Sequence, residues 1–171
     1  MTAVPEAGRY VLDSARSSVA VSQKTMWGLV TVKGTFATVT GDGEVLPDGT
    51  ATGVISVDAS SIDTKHTKRD THLRSAEFFD VEQFPLIRFD VISASREADG
   101  GASVQGRLTV RGVTEPQTIT AAVTAVEPDA VTLTAEFAVD RTVYGLNWNQ
   151  VGMIRGATTV TATLRFTRTA A

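Results

Sequence analysis

The chain has no cysteine. Disulfides, thiolate nucleophiles and cysteine-ligated zinc or iron are therefore excluded. Histidine occurs only twice, at His66 and His72, which excludes a site built from several histidines. There is no excess of positive charge either. Sixteen Lys and Arg stand against 19 Asp and Glu, a formal net charge of −3. A nucleic-acid backbone asks for clustered cations, so no nucleic-acid partner is expected. A surface of anionic lipid is disfavoured for the same reason. No apolar run approaches the roughly 18 residues of a membrane helix, so no stable membrane insertion is expected. Residues 1–10 lack a basic start followed by an apolar run, and the expected location is the cytoplasm. Gly-x-Ser-x-Gly, phosphate-loop and dinucleotide motifs are also missing.

What is present reads as one globular domain over residues 1–171. The 42% hydrophobic and 20% charged content excludes disorder. Threonine and valine are frequent, and β-branched side chains suit the pleated surface of a strand. Val104, Gly106, Leu108 and Val110 alternate with polar neighbours. So do Val131, Leu133, Ala135, Phe137 and Val139, and again Val160, Ala162, Leu164 and Phe166. One buried and one wet face is the mark of antiparallel sheet. Turn signals at Asp42-Gly43, Pro47-Asp48-Gly49, Asp99-Gly100-Gly101 and Pro128-Asp129 separate the runs. The pattern predicts strands at 9–13, 17–25, 29–39, 50–59, 86–96, 102–111, 117–127, 130–140 and 158–168, in an all-β barrel or sandwich. Residues 65–78 are charged and do not alternate; they predict a short helix or structured loop with Asp63 or Thr64 as N-cap. Pro85 opens the next strand, and Ala170-Ala171 are expected to fray.

An ordered set of motifs then carries a resemblance. It runs from Tyr10-Val11-Leu12-Asp13 through Ser61-Ile62-Asp63-Thr64, Arg69-Asp70, His72-Leu73-Arg74-Ser75 and Phe78-Phe79-Asp80-Val81. Phe84-Pro85, Phe89, the stretch Gly106 to Thr114, Arg141 and Tyr144-Gly145 continue it. This set resembles the YceI-like family of polyisoprenoid-binding, lipocalin-like proteins. Asn147-Trp148-Asn149-Gln150 with Gly152-Met153 is similar to a subset of its actinobacterial members. The resemblance implies an eight-stranded antiparallel lipocalin-like barrel with an elongated apolar interior. It also implies binding of a prenyl chain or isoprenoid quinone without catalysis. Thr25 stands where many members carry a histidine, before the Gly-Thr-Phe matched by Gly34-Thr35-Phe36.

The expected function is carriage, storage or sequestration of such a ligand, with no metal and no cofactor beyond a bound isoprenoid or quinone. A homodimer is expected, since related barrels often pair and the Thr-rich strand faces carry modest charge. Gly106, Ala121, Ala125, Ala135 and Ala162 are small inward positions, and a barrel lined this way leaves volume for an apolar guest. Loops or the 65–78 segment plugging the centre is the alternative. Candidates for cavity or mouth are Val21, Trp27, Val32, Phe36, Phe79, Phe89, Leu108, Ala135, Phe137, Tyr144, Trp148, Met153, Ala162 and Leu164. Trp27 and Trp148 fit a half-wet mouth or plain core. Most of Phe78, Phe79, Phe84 and Phe89 are expected to seat the irregular segment on the barrel, with one or two facing the cavity. Arg69, Asp70, His72 and Arg74 are candidates for a polar headgroup; Arg69 and Asp70 equally suit fixing the helix to the strands. His66 and His72, six apart, are badly spaced for a helical metal site. An enzyme acting on a small hydrophobic substrate near His72 and Asp70 is the rival reading. A structural or stress-related module whose lipid merely fills the core is a third.

Overall fold

The computed structural model describes residues 5–149 and 152–169. The alternating runs form eleven strand segments: β1 (Gly8–Leu12), β2 (Ser18–Thr25), β3 (Val30–Phe36), β4 (Val39–Val45), β5 (Ala51–Asp58) and β6 (Ile62–Asp63). After the helix α1 (Thr67–Arg74) come β7 (Leu86–Arg96), β8 (Gly101–Val110), β9 (Val113–Glu127), β10 (Ala130–Val139) and β11 (Arg155–Arg168). All pair antiparallel in one sheet, which closes between β1 and β11. Three broken strands reduce the segments to eight staves, giving a closed eight-stranded barrel. β1 and β2 share β11 as neighbour, β1 along residues 166–168 and β2 along residues 155–163. The chain bulges between them in a 3-10 turn, Ser14–Arg16, yet the ladder is carried across. Asp13 N–H donates to Arg165 O at 2.7 Å, and Arg165 N–H donates to Ser17 Oγ at 2.9 Å. β3 and β4 break at Ala37-Thr38, and β5 and β6 break at the turn Ala59–Ser61.

This break corrects the expected strand boundaries. Residues 29–39 are not one strand ending before a turn. Asp42-Gly43 lies inside β4, with Gly43 opposite Tyr10 on one side and Gly53 on the other. Asp-Gly signals a turn only where the chain takes a left-handed φ, and Gly43 takes none. The β8–β9 connection does: Arg111 (φ 50) and Gly112 (φ 76) make a two-residue hairpin turn of the type favoured by strand twist. β9 therefore begins at Val113 rather than 117. β11 starts at Arg155, with an irregularity before Thr159. Ala170-Ala171 lie outside the described residues.

Inward side chains form two clusters. One holds Leu12, Val19, Phe36, Val39, Val57, Ile62 and Ala162; the other holds Phe89, Leu108, Val110, Ile119, Tyr144 and Leu146. Ile55, Phe79 and Ile87 pack against both. Gly106 leaves no void, because a Cβ there would meet the Phe89 ring at 2.7 Å and run into Asp90 O. The ring occupies the room the glycine vacates. Ala125 is a second correction. A bulge between Thr132 and Leu133 pairs Ala125 with the outward Thr132, which turns the alanine to solvent. Gly106→Val is expected to lower stability by about 1–3 kcal/mol or more through overpacking against Phe89. A thermal melt checks it.

Of the two expected alternatives for residues 65–78, helix or structured loop, the chain forms a short helix over Thr67–Arg74, and its N-cap is His66 rather than Asp63 or Thr64. Its Nδ1 accepts from Arg69 N–H at 3.1 Å. Asp63 instead bonds Lys65 N–H, and Thr64 is taken by Asp70. Only Leu73 is apolar in α1, so the helix is held by polar contacts rather than by an apolar stripe. β6 pairs only with Thr35 and Phe36, which leaves Val30–Gly34 of β3 without a strand on that side. The segment following β6 bridges this gap. The Thr64 methyl lies over Gly34, and Arg111 of the β8–β9 turn donates to Phe78 O (3.0 Å) and Ala76 O (2.7 Å).

Candidate functional site: an apolar barrel cavity

The barrel encloses a cavity of about 1000 Å³. At one end it is framed by α1, the Met26–Gly28 turn and the loop after β10, through Met26, His66, Lys68, His72, Trp148 and Met153. At the other end it reaches Gly49, Ala94, Ser95 and Arg96. Its walls are the alternating inward positions of the strands, with the second-half runs Val131–Val139 and Val160–Phe166 in full. The 64–85 segment covers part of one end, through Leu73, Phe78 and Phe79, and leaves the interior open.

Register explains why room remains. Ala102 on β8 faces Ala121 on β9, Ala121 faces Ala135 on β10, and Ala135 faces Ala162 on β11. Four adjacent strands thus present alanine in one cross-strand row, and all four line the cavity. At about 4.8 Å per strand, the row spans roughly 14 Å of wall carrying only methyl groups. Arg96 continues it on β7; Val19 and Phe36 continue it on β2 and β3. Filled cores place large side chains at such positions, and a dry void forfeits their dispersion contacts.

Thirteen of the fourteen apolar candidates line this cavity: Val21, Val32, Phe36, Phe79, Phe89, Leu108, Ala135, Phe137, Tyr144, Trp148, Met153, Ala162 and Leu164. Trp27 does not. It sits 47% exposed in a left-handed conformation (φ 56) just outside the rim, and its backbone N–H donates to Met153 O at 3.0 Å. Trp148 is at the rim, edge-on to the His72 ring with centroids 4.4 Å apart. Phe79 packs edge-on against both Phe36 (6.0 Å) and Phe78 (5.0 Å). Phe84 lies against Gly112 and is not among the lining residues. Thr25 lines the cavity beside Met26.

The polar candidates divide. Arg69 and His72 line the cavity; Asp70 and Arg74 do not. Asp70 is buried and accepts from Thr64 N–H (3.0 and 3.2 Å) and Thr64 Oγ1 (2.5 Å). Arg69 donates to the same threonine, through Nε to Oγ1 and Nη2 to O, both at 2.8 Å. Arg74 donates to Ser60 O (2.8 Å) and Ile62 O (3.0 Å). Three of the four are thus engaged in fastening the helix to the Ser60–Thr64 stretch that contains β6. His72 Nε2 lies 3.4 Å from Glu77. Asp70 and His72, two apart on a helix, face different ways and do not form an acid–base pair. No group of three or more metal-ligating side chains occurs among the described residues.

Sequence reasoning missed Ala102, Arg96 and the cavity role of Arg141. Ala102 was hidden because only register shows that it extends the alanine row. Arg96 lines the far end, and its Nη1 is buried with no hydrogen-bond partner among the described residues. Arg141 is 7% exposed and lines the wall near the rim. Burial pushes its affinity for the proton below the usual guanidinium value.

A closed eight-stranded antiparallel barrel around an apolar cavity is the architecture of a ligand-holding barrel, as in the lipocalins. Residues 10–166 match the YceI-like domain, and the chain belongs to that family. A UPF0312 protein of Vibrio vulnificus is 35% identical over 127 residues, covering 71% of this chain and 67% of the relative. The YceI protein of Salmonella arizonae is 43% identical over 67 residues, which is 39% of this chain and 35% of that one. Two solved structures share the fold. BcnA of Burkholderia cenocepacia has a TM-score of 0.81 at 18% identity, covering 90% of this chain and 98% of its own. A polyisoprenoid binding domain from Saccharophagus degradans, implicated in plant cell wall breakdown, has a TM-score of 0.74 at 14% identity, covering 94% and 98%.

Proposed function

We propose that the protein binds a long apolar isoprenoid, a polyprenyl lipid or an isoprenoid quinone, inside the barrel, and so carries, stores or sequesters it. The observation that carries this reading is the alanine row in the wall of a continuous apolar cavity. Size supports it. At about 30 Å³ per water-sized group, a volume near 1000 Å³ takes roughly thirty heavy atoms, or about six five-carbon units. Family membership and the polyisoprenoid binding neighbour support the ligand class. Native mass spectrometry of the purified protein tests it against the denatured mass. The expected result is an added mass of hundreds of daltons, or its uptake when an isoprenoid quinone or polyprenyl lipid is supplied. No added mass under either condition overturns the reading.

Fluorescence gives an independent readout. The chain has two tryptophans; Trp148 lines the cavity rim and Trp27 lies outside the lining. Isoprenoid quinone is expected to quench the emission of the wild-type protein. In Trp148→Phe most of that quench is lost, while in Trp27→Phe it is retained. The reverse pattern would place the guest outside the barrel.

A further inference from the structure

The 3-10 turn Arg141–Tyr144 sets a polar pair into the wall of the apolar cavity. Its geometry is fixed at both ends. Asp140 Oδ1 accepts from Thr142 N–H (3.0 Å) and Thr142 Oγ1 (2.6 Å). Gly145 ends the turn in the left-handed region (φ 79), and Leu146 N–H closes back on Arg141 O at 3.1 Å. With three residues per turn, side chains at i and i+3 eclipse, which puts Arg141 and Tyr144 on one face. Both line the cavity, and they are only 7% and 3% exposed.

Neither is fully answered by the protein. A guanidinium has five N–H donors. Arg141 uses Nη1 alone, on Leu146 O and on Trp148 O at 3.2 Å. Nε and Nη2 have no acceptor, and no carboxylate forms an ion pair with Arg141, among the described residues. The Tyr144 hydroxyl has no hydrogen-bond partner among them either. Both side chains sit in the cavity wall with donors left free, and a donor facing an apolar cavity is costly unless something accepts its hydrogen. A phenol is a donor at neutral pH, and burial raises the Tyr144 pKa further above the ordinary value.

We infer that Arg141 and Tyr144 form the head site of the cavity, where Nε and Nη2 of Arg141 and Oη of Tyr144 donate to an acceptor oxygen on the ligand, a carbonyl or phosphate oxygen. This rests on the proposed cavity function and specifies it: the ligand is an apolar chain ending in an oxygen acceptor, not a pure hydrocarbon. It also moves headgroup recognition away from Arg69, Asp70 and Arg74, whose donors and acceptors serve the helix.

Tyr144→Phe is the clean test, because the hydroxyl it removes bonds to no described residue. Its melting temperature is expected to match the wild type. Three probes are titrated by native mass spectrometry: squalene, an isoprenoid quinone and a polyprenyl phosphate of similar chain length. Wild type is expected to bind at least one oxygenated probe more tightly than squalene. Tyr144→Phe is expected to weaken that probe about tenfold, the worth of one hydrogen bond, and to leave squalene unchanged. Whether quinone or phosphate is preferred separates the two sources of the acceptor. If all three bind equally and Tyr144→Phe changes nothing, the head site is overturned while the cavity stands. If Arg96→Met at the opposite end abolishes the preference and Tyr144→Phe does not, the head lies there and the inference is wrong. If none of the three binds, the cavity function falls and the head site with it.

Discussion

Ala135→Trp is expected to expel the guest while leaving the barrel as stable as before or more so. Ala135 is the third residue of the alanine row, flanked directly by Ala121 and Ala162. An indole there projects into open volume, not into a neighbour. A buried methylene is worth about 0.8 kcal/mol, so excluding one five-carbon unit costs roughly 3–4 kcal/mol of binding, or more than a hundredfold. The empty protein gains dispersion contacts that the methyl could not make. Ala162→Phe, one strand over, is expected to act the same way. In a filled core both substitutions would overpack and destabilise by about 1–3 kcal/mol. Native mass spectrometry and a thermal melt read the two quantities separately. A marked fall in melting temperature with bound mass unchanged would show that these alanines pack an ordinary core.

Asp70→Ala has the opposite expected signature. Its carboxylate receives both the N–H and the hydroxyl of buried Thr64, which in turn accepts from Arg69. Truncation leaves two buried donors unanswered, at about 1–3 kcal/mol each. A loss of about 3 kcal/mol is expected, lowering the melting temperature by roughly 6–12 °C. Asp70→Asn keeps one acceptor oxygen and is expected to lose less. If Asp70 were an acid–base residue, Asp70→Ala would instead abolish turnover of a small substrate with melting unchanged. Circular dichroism melts of the two variants decide between these outcomes.

How far the sequence reveals this molecule depends on the physics behind each signal. Alternation over seven or more residues is direct evidence of a buried face. The walls at Val131–Val139 and Val160–Phe166 were legible for that reason, and the ordered motifs made the family legible. Signals that depend on pairing were not. Asp42-Gly43 carries a turn's composition, but its position in β4 follows from the break at Ala37-Thr38 and from the partners Tyr10 and Gly53. Ala125 obeys the alternation until the bulge reverses its face. The alanines of β8 to β11 look unremarkable singly and become a groove only through register. Asp70 and Arg74 read as a polar site because charge is visible in a sequence, whereas the carbonyls and the threonine that engage them are not. Arg141 was visible as part of a motif, but its burial in a cavity wall was not.

The contact between β1 and β11 has a consequence in time. A ribosome delivers Leu12 long before Phe166, its ladder partner, exists. Glu6 and Arg168, 162 residues apart, pair across the same seam, beside the donation of Thr169 N–H to Arg9 O. Until the final strand emerges, β1 has only β4 on one side and an open edge on the other. The vessel cannot be sealed until β11 has been made; it closes by contacts of high sequence separation, which are slow to form. The same adjacency sets the start of β1 beside the end of β11. A permuted gene that joins them and opens at the Pro47-Asp48-Gly49 turn would make a barrel of the same walls, sealed at a different seam.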